Sequence, residues 1–223
     1  MLNNYKNDIK EFEPIEHDIW FFADWLQATY DRNKQGLSTQ HNYDPKRDRN
    51  GFLGEFTFYH WLHHHADPTA IYNRVLWDGY KPQKYGDVCD FEVVVVGQGL
   101  IRIDNKNITV SAWTKEFIAG NEVKVLDDKD GAKQISKPID IYTFTGIRTQ
   151  LNKPATGTDP IPSLHPYVLG WEYKSVVLQA WRVVEVGEKP YDNANYVCER
   201  KEWRCPVREL RPIDELPAIL ALT

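Results

Sequence analysis

Apolar and polar positions recur along this chain with two different periods, and the period changes near residue 70. Ile19, Phe22, Leu26 and Tyr30 stand at helical spacing behind Asp18, a side chain suited to capping, and predict a helix over residues 17–33. Residues 36–50 are polar, carry Lys46, Arg47 and Arg49, and predict a loop. A second helix is expected from about Arg49 to His65, with Phe52, Phe56, Tyr59 and Leu62 on one face and Asp67-Pro68 as its stop. The period then falls to two. Strands are predicted over Ala70–Leu76, Asp90–Val96, Leu100–Lys106, Glu122–Leu126 and Ile139–Ile147, with a hairpin turn at Gly97-Gln98-Gly99. Residues 149–166 hold four prolines and read as a long loop. Pro166–Trp171 and Val176–Val186 read as β-rich with a helical turn between them, Tyr196–Trp203 as a further strand, and Pro212–Leu222 as a short terminal helix.

Two helices, a run of strands, then more strands and a helix define an α+β or mixed α/β chain. Its expected division is a core over residues 1–148 and a β-rich extension over 149–223 packing on the same domain. The composition agrees with one globular unit: 223 residues, 42% apolar and 13% aromatic, which argues against disorder. A net charge of -5 excludes a wholly basic nucleic-acid coat but leaves room for a local basic groove. No apolar run approaches the ~20 residues of a membrane helix. The first residues lack a basic start followed by an apolar stretch, and Cys89, Cys198 and Cys205 are too few for a disulfide framework. A reducing, cytoplasmic setting and three structural thiols are the expectation.

The candidate chemistry lies in Gly86–Asn107. Asp90 opens one predicted strand; Asp104 and Lys106 close the next, two residues apart and so on one face. If Val96 pairs with Leu100, Asp90 faces Lys106 and Glu92 faces Asp104. Gathered carboxylates repel one another unless a cation joins them, and hard oxygen donors suit Mg²⁺ or Mn²⁺. A lysine beside such an ion can position an attacking water and offset charge on a phosphate. Glu55 stands on the aromatic face of the second helix, where an unpartnered acid is costly.

A glutamate on a helix, an aspartate opening a strand and Asp–x–Lys closing the next resemble the PD-(D/E)xK nuclease superfamily, over about Glu55 to Lys106. The chain departs from that pattern in having Cys89 where a proline is usual, Asp104 where glutamate is commoner, and Asp87 as a competing first acid. The resemblance implies a restriction-endonuclease-like mixed sheet flanked by helices. It also implies metal ligation by Asp90 and Asp104 with Glu55 as auxiliary acid, a catalytic Lys106, and Mg²⁺-dependent endonuclease action on DNA through a metal-activated water. The alternatives are a non-catalytic nucleic-acid- or protein-binding member of that fold, and a β-rich assembly protein.

Lys46, Arg47 and Arg49, and Arg204 and Arg208 around Trp203, are the expected phosphate contacts. His60 and His64 share a helical face, but no glutamate follows His60, so they read as a helix end where imidazolium meets the dipole. Trp20, Phe21, Phe22 and Trp25 exceed what one helix buries; packing against the C-terminal β region or against a second subunit would cover the surplus, and a homodimer would suit cutting both strands of a duplex.

Overall fold

The computed structural model describes residues 10–11, 45–65, 75–77, 89–95, 99–109, 121–127, 137–150, 153–154, 156, 159–160, 163–192 and 194–220. The predicted helix over 17–33, its aromatic cluster and Asp87 lie outside them. In chain order the elements are β1 (Lys10–Glu11), α1 (Pro45–His65), β2 (Val75–Trp77), β3 (Phe91–Val95), β4 (Gly99–Thr109), β5 (Glu122–Leu126), β6 (Ile141–Gln150) and β7 (Lys153–Pro154). They continue with β8 (His165–Tyr173), α2 (Lys174–Ala180), β9 (Arg182–Val184), β10 (Glu202–Pro206), two 3-10 turns at Val207–Glu209 and Ile213–Glu215, and α3 (Leu216–Ile219).

The chain is mixed α+β with two sheets. The larger runs β1-β8-β6-β4-β3-β2, with β7 also on β6; the smaller runs β5-β10-β9. Every pairing is antiparallel except β4 with β6, which is parallel. Residues on both sides of position 149 share these sheets, because β8 lies beside β6 and β10 beside β5.

Alternation along each strand sends side chains to opposite faces. On one face α1 packs Phe58, Trp61 and Leu62 against Phe91, Val93, Ile103 and Trp171, and the C-terminal Ile213, Leu216 and Leu220 close the same core. The Phe58 and Phe91 rings meet edge to face with centroids 5.1 Å apart. On the other face Tyr142, Phe144 and Leu169 pack against Val123, Val125 and Trp203 of the smaller sheet. Residues Asn105, Asn107, Thr143 and Thr145 form a polar ladder beneath α1. Asn105 Nδ2 donates to Thr145 Oγ1 at 3.0 Å, Thr143 Oγ1 to Asn105 Oδ1 at 3.0 Å, and Thr145 Oγ1 to Asn107 Oδ1 at 3.2 Å. These bonds satisfy buried polar groups and fix the parallel register.

Several expectations need correction. Helix α1 starts at Pro45, so Lys46, Arg47 and Arg49 occupy its first turns rather than a loop. Pro45 explains the earlier start, since proline at the first helical position gives up only an amide that the helix leaves unpaired. The β3–β4 register is Val95↔Gly99 and Phe91↔Ile103, two residues from the expected Val96–Leu100 pairing. Gly99 adopts φ 92°, a left-handed conformation open to glycine, and the strand begins on it. A shift of two keeps every side chain on its expected face. Residues 176–180, expected as part of a β-rich stretch, instead continue the helical turn expected before them and form α2 (Lys174–Ala180), with only Val177 among them buried. The β preference of Val176 and Val177 yields to context. The strand expected over Tyr196–Trp203 begins only at Glu202. Ahead of it, Gly187 N–H donates to the Cys198 carbonyl and Cys198 N–H to the Glu188 carbonyl, both at 2.8 Å, which holds Cys198 in a loop.

The smaller sheet carries a buried ion network. Glu202 accepts from Lys124 Nζ at 2.9 Å and from Arg204 Nε at 2.7 Å, and Arg204 also reaches Glu122 at 3.2 Å. Burial alone would raise the Glu202 pKa, but the bonds from Lys124 and Arg204 outweigh it and hold the carboxyl below its ordinary value. A carboxyl held low in the folded state contributes its stability above the unfolded value, about 4.3, and loses it as pH falls through the folded value. Glu202→Gln is therefore expected to cost about 2–4 kcal/mol at pH 7, since it leaves a buried arginine short of its partner. The gap to the wild type should narrow as pH falls below about 4.3 and on through the lowered folded-state value. Urea unfolding across that range checks this, and a pH-independent gap would contradict it.

Candidate active site

The expected site residues sit where β3 begins and β4 runs on beyond it. Phe91 is the first paired residue of β3, opposite Ile103, whereas β4 continues to Thr109 beside β6. Asp90 stands just ahead of the paired segment, and its N–H donates to the Ile103 carbonyl at 3.0 Å. Its Oδ2 accepts the backbone N–H of Asn105 at 2.6 Å. Backbone donors of a strand point in the plane of the sheet, so the Asp90 carboxylate lies in that plane, at the open edge of β4.

Asp104 and Lys106 project from one face of β4, the face opposite α1. The assignment follows from alternation: Asn107, the intervening register, donates its Nδ2 to the Asn50 carbonyl of α1 at 2.9 Å. Lys106 Nζ makes an ion pair with Asp104 Oδ2; the Asp104 side chain is 9% exposed and that of Lys106 26%. Burial disfavours the Lys106 ammonium, but the Asp104 and Asp90 carboxylates more than offset this, and its pKa is raised. Tyr142 on β6 stands opposite Asp104 in the parallel register. Burial, then the Asp104 carboxylate, push its phenol up to about 12. Cys89 is likewise pushed up to about 12, first by burial and then by Glu92 and Asp90. Burial therefore disfavours its thiolate form at neutral pH. Cys198 and Cys205 are also free and buried.

The fold thus brings Asp90, Asp104 and Lys106 together and treats Glu55 differently. Glu55 belongs to α1, between Gly54, which lies against Asn107 and Thr145, and Phe58, which lies on Phe91. It therefore stands over the other face of the sheet from Asp104 and Lys106. Among the described residues no three His, Cys, Asp or Glu side chains are gathered as a group able to hold a metal ion. His60 and His64 stack with ring centroids 4.4 Å apart, and no such group includes them. As a donor set, two carboxylates suit an octahedral Mg²⁺ or Mn²⁺ that keeps several waters. One oxygen of each acid already accepts a hydrogen bond or ion pair from the protein.

The expected phosphate contacts divide. Arg204 is 4% exposed and engaged by Glu202, Glu122, Tyr191 and Tyr196, so it is withdrawn from any phosphate. Trp203 beside it is 4% exposed and lies in the core, which removes it as a stacking platform. Arg208 is exposed on the turn Val207–Glu209. Sequence reasoning passed over Tyr142 and Lys174, whose placement beside the site depends on β6 and β8. The lone signal for either was a polar residue at the end of an apolar strand.

Comparison with protein-family models, curated proteins and solved structures finds no match to this chain. Among the described residues no helix is long and apolar enough to cross a membrane.

Proposed function

We propose that this chain is a metal-dependent nuclease that hydrolyses phosphodiester bonds in DNA on a restriction-endonuclease-like core. The observation that carries the reading is the meeting of Asp90, Asp104 and Lys106 at the edge where β3 stops pairing with β4. A mixed core of β2, β3, β4 and β6 with α1 on one face also fits the PD-(D/E)xK resemblance. Asp90 and Asp104 would hold a divalent ion there, which would supply activation of the attacking water and charge to offset that on the phosphate. Asp90, oriented by the Asn105 amide, presents its carboxylate at the open edge. Asp104 presents its own from the adjoining face, and Lys106 carries the positive charge that faces the phosphate. Lys46, Arg47 and Arg49, in the first turns of α1, are the candidate contacts to the substrate backbone. A homodimer would present two such edges to a duplex.

The test is cleavage of plasmid and single-stranded DNA by purified protein with Mg²⁺ or Mn²⁺. The wild type is expected to cut, and Asp104→Ala to lose both cutting and Mn²⁺ binding. DNA left intact by the wild type, together with equal Mn²⁺ binding by both proteins, overturns the proposal. A second reading, a non-catalytic DNA- or protein-binding member of the same fold, is favoured by the Lys106 ammonium seated on Asp104. DNA binding without cleavage or Mn²⁺ uptake would select it.

A further inference from the structure

We infer that Arg102 is a further substrate-binding residue of this site: its guanidinium holds the nucleic-acid phosphate next to the reacting one, so that the bound strand runs along the open face of the β3–β4 hairpin. The inference rests on the nuclease reading and extends it from the reacting phosphate to its neighbour. Alternation places Leu100, Arg102, Asp104 and Lys106 on one face of β4, in steps of about 6–7 Å. A phosphate reacting at Asp104 therefore has a lysine two residues to one side and an arginine two residues to the other. Strand β3 completes the face, because directly opposed residues of antiparallel strands share it. Glu92 stands opposite Arg102, and Val94 opposite Leu100. Val94 and Leu100 are both exposed, so the face stays open from Arg102 outward to the turn.

Arg102 is held in place from two sides. Its N–H donates to Asp140 Oδ2 at 2.8 Å, and Asp140 N–H donates to the Arg102 carbonyl at 2.9 Å, which fixes its backbone. Its side chain is steadied across the hairpin, where Nε donates to Glu92 Oε1 at 3.2 Å. The two terminal amino groups make no hydrogen bond among the described residues, and the side chain keeps 31% of its surface exposed. The fork of N–H donors at that end matches two oxygens of one phosphate, a geometry that lysine does not offer. Lys106 is committed differently, with its ammonium seated on Asp104. Val94 and Leu100, next along the face, present an apolar surface to the sugar of the adjoining nucleotide.

A purely structural role, a cross-strand ion pair that steadies the hairpin, would make Arg102 and Glu92 equivalent, since either substitution breaks the pair. Substrate binding makes them opposite. Wild type, Arg102→Gln, Arg102→Lys and Glu92→Gln are compared well below their melting temperatures for binding to a labelled DNA duplex in Ca²⁺ over a range of salt, and for cleavage in Mg²⁺. Arg102→Gln should bind about tenfold more weakly and flatten the slope of log affinity against log salt by about one. Arg102→Lys keeps the charge without the fork, and should restore the slope and only part of the affinity. Glu92→Gln should bind at least as tightly as the wild type, because it leaves Arg102 in place and removes a negative charge from the face. An Arg102→Gln protein with wild-type affinity and slope overturns the inference, and so does equal weakening by Arg102→Gln and Glu92→Gln; cleavage by the wild type in either case leaves the nuclease reading intact. A wild type that neither binds nor cuts DNA overturns both.

Discussion

Replacing Lys106 with methionine is expected to lower DNA cleavage by about a thousandfold while Mn²⁺ binds at least as tightly as in the wild type. The reason is the place that the ammonium occupies. In the folded chain Lys106 sits on Asp104, on its own strand, and within the field of Asp90, so its ammonium already offsets part of the negative charge of the two carboxylates. An incoming divalent ion must compete with that charge for the same oxygens. Methionine keeps the length and the apolar stem of the lysine and removes the competition. It also removes the one positive group of the cluster that can face the phosphate, so ion binding and catalysis should separate. Mn²⁺ uptake followed by electron paramagnetic resonance, beside cleavage of labelled DNA, reads both quantities.

Stability gives a third readout. Breaking a buried pair costs about 3–5 kcal/mol, but solvent screens a lysine that is 26% exposed, and about 1–2 kcal/mol is the better expectation without metal. Added Mn²⁺ should recover that loss more fully in Lys106→Met than it raises the melting temperature of the wild type. Cleavage kept within tenfold would remove Lys106 from the chemistry. Unchanged Mn²⁺ affinity together with unchanged melting would remove the ion from Asp104.

The site was legible in the sequence to the extent that it is local. Asp104 and Lys106 share a face because they are two apart on one strand, and no tertiary information is needed for that. Asp90 was also placed correctly beside them, although through the wrong partner. The expected register set it opposite Lys106, whereas the pairing of Phe91 with Ile103 puts it beside the Asn105 amide. The error was harmless because a shift of two residues preserves the faces; a shift of one would have scattered the acids. Glu55 shows where local reading ends. Its helix and its aromatic neighbours were visible from spacing, but which face of the sheet α1 covers is decided by contacts such as Gly54 on Asn107. Arg204 failed for a related reason. A run of basic residues looks like a solvated face until Glu202, Glu122 and two tyrosines, distant in the sequence, close around one of them. The parallel pairing of β4 with β6, and with it the approach of Tyr142 and Lys174, is a long-range event that hydrophobic period does not encode.

Gly54→Ala is expected to destabilise the protein by about 2–4 kcal/mol, although it replaces a poor helix former with the best one. An added Cβ at Gly54 would lie 2.6 Å from Asn107 Cβ, 2.6 Å from Thr145 Oγ1 and 2.9 Å from Asn107 Cγ. These atoms belong to the bases of short side chains in two paired strands, and Asn107 is held further by its bonds to Asn50 and Thr145. Neither can swing away as the end of a lysine would. The helix must lift, or the ladder beneath it must break, and a lost buried hydrogen bond adds about 1 kcal/mol to the cost of overpacking. Gly51, one turn earlier on α1, is the control: a Cβ there meets nothing within 4 Å. Gly51→Ala should stabilise the protein by about 0.5–1 kcal/mol through helix propensity alone. Thermal melting of the two variants should move in opposite directions, the first down by roughly 5–15 °C. Equal and positive shifts would mean that α1 does not rest on β4 at this point.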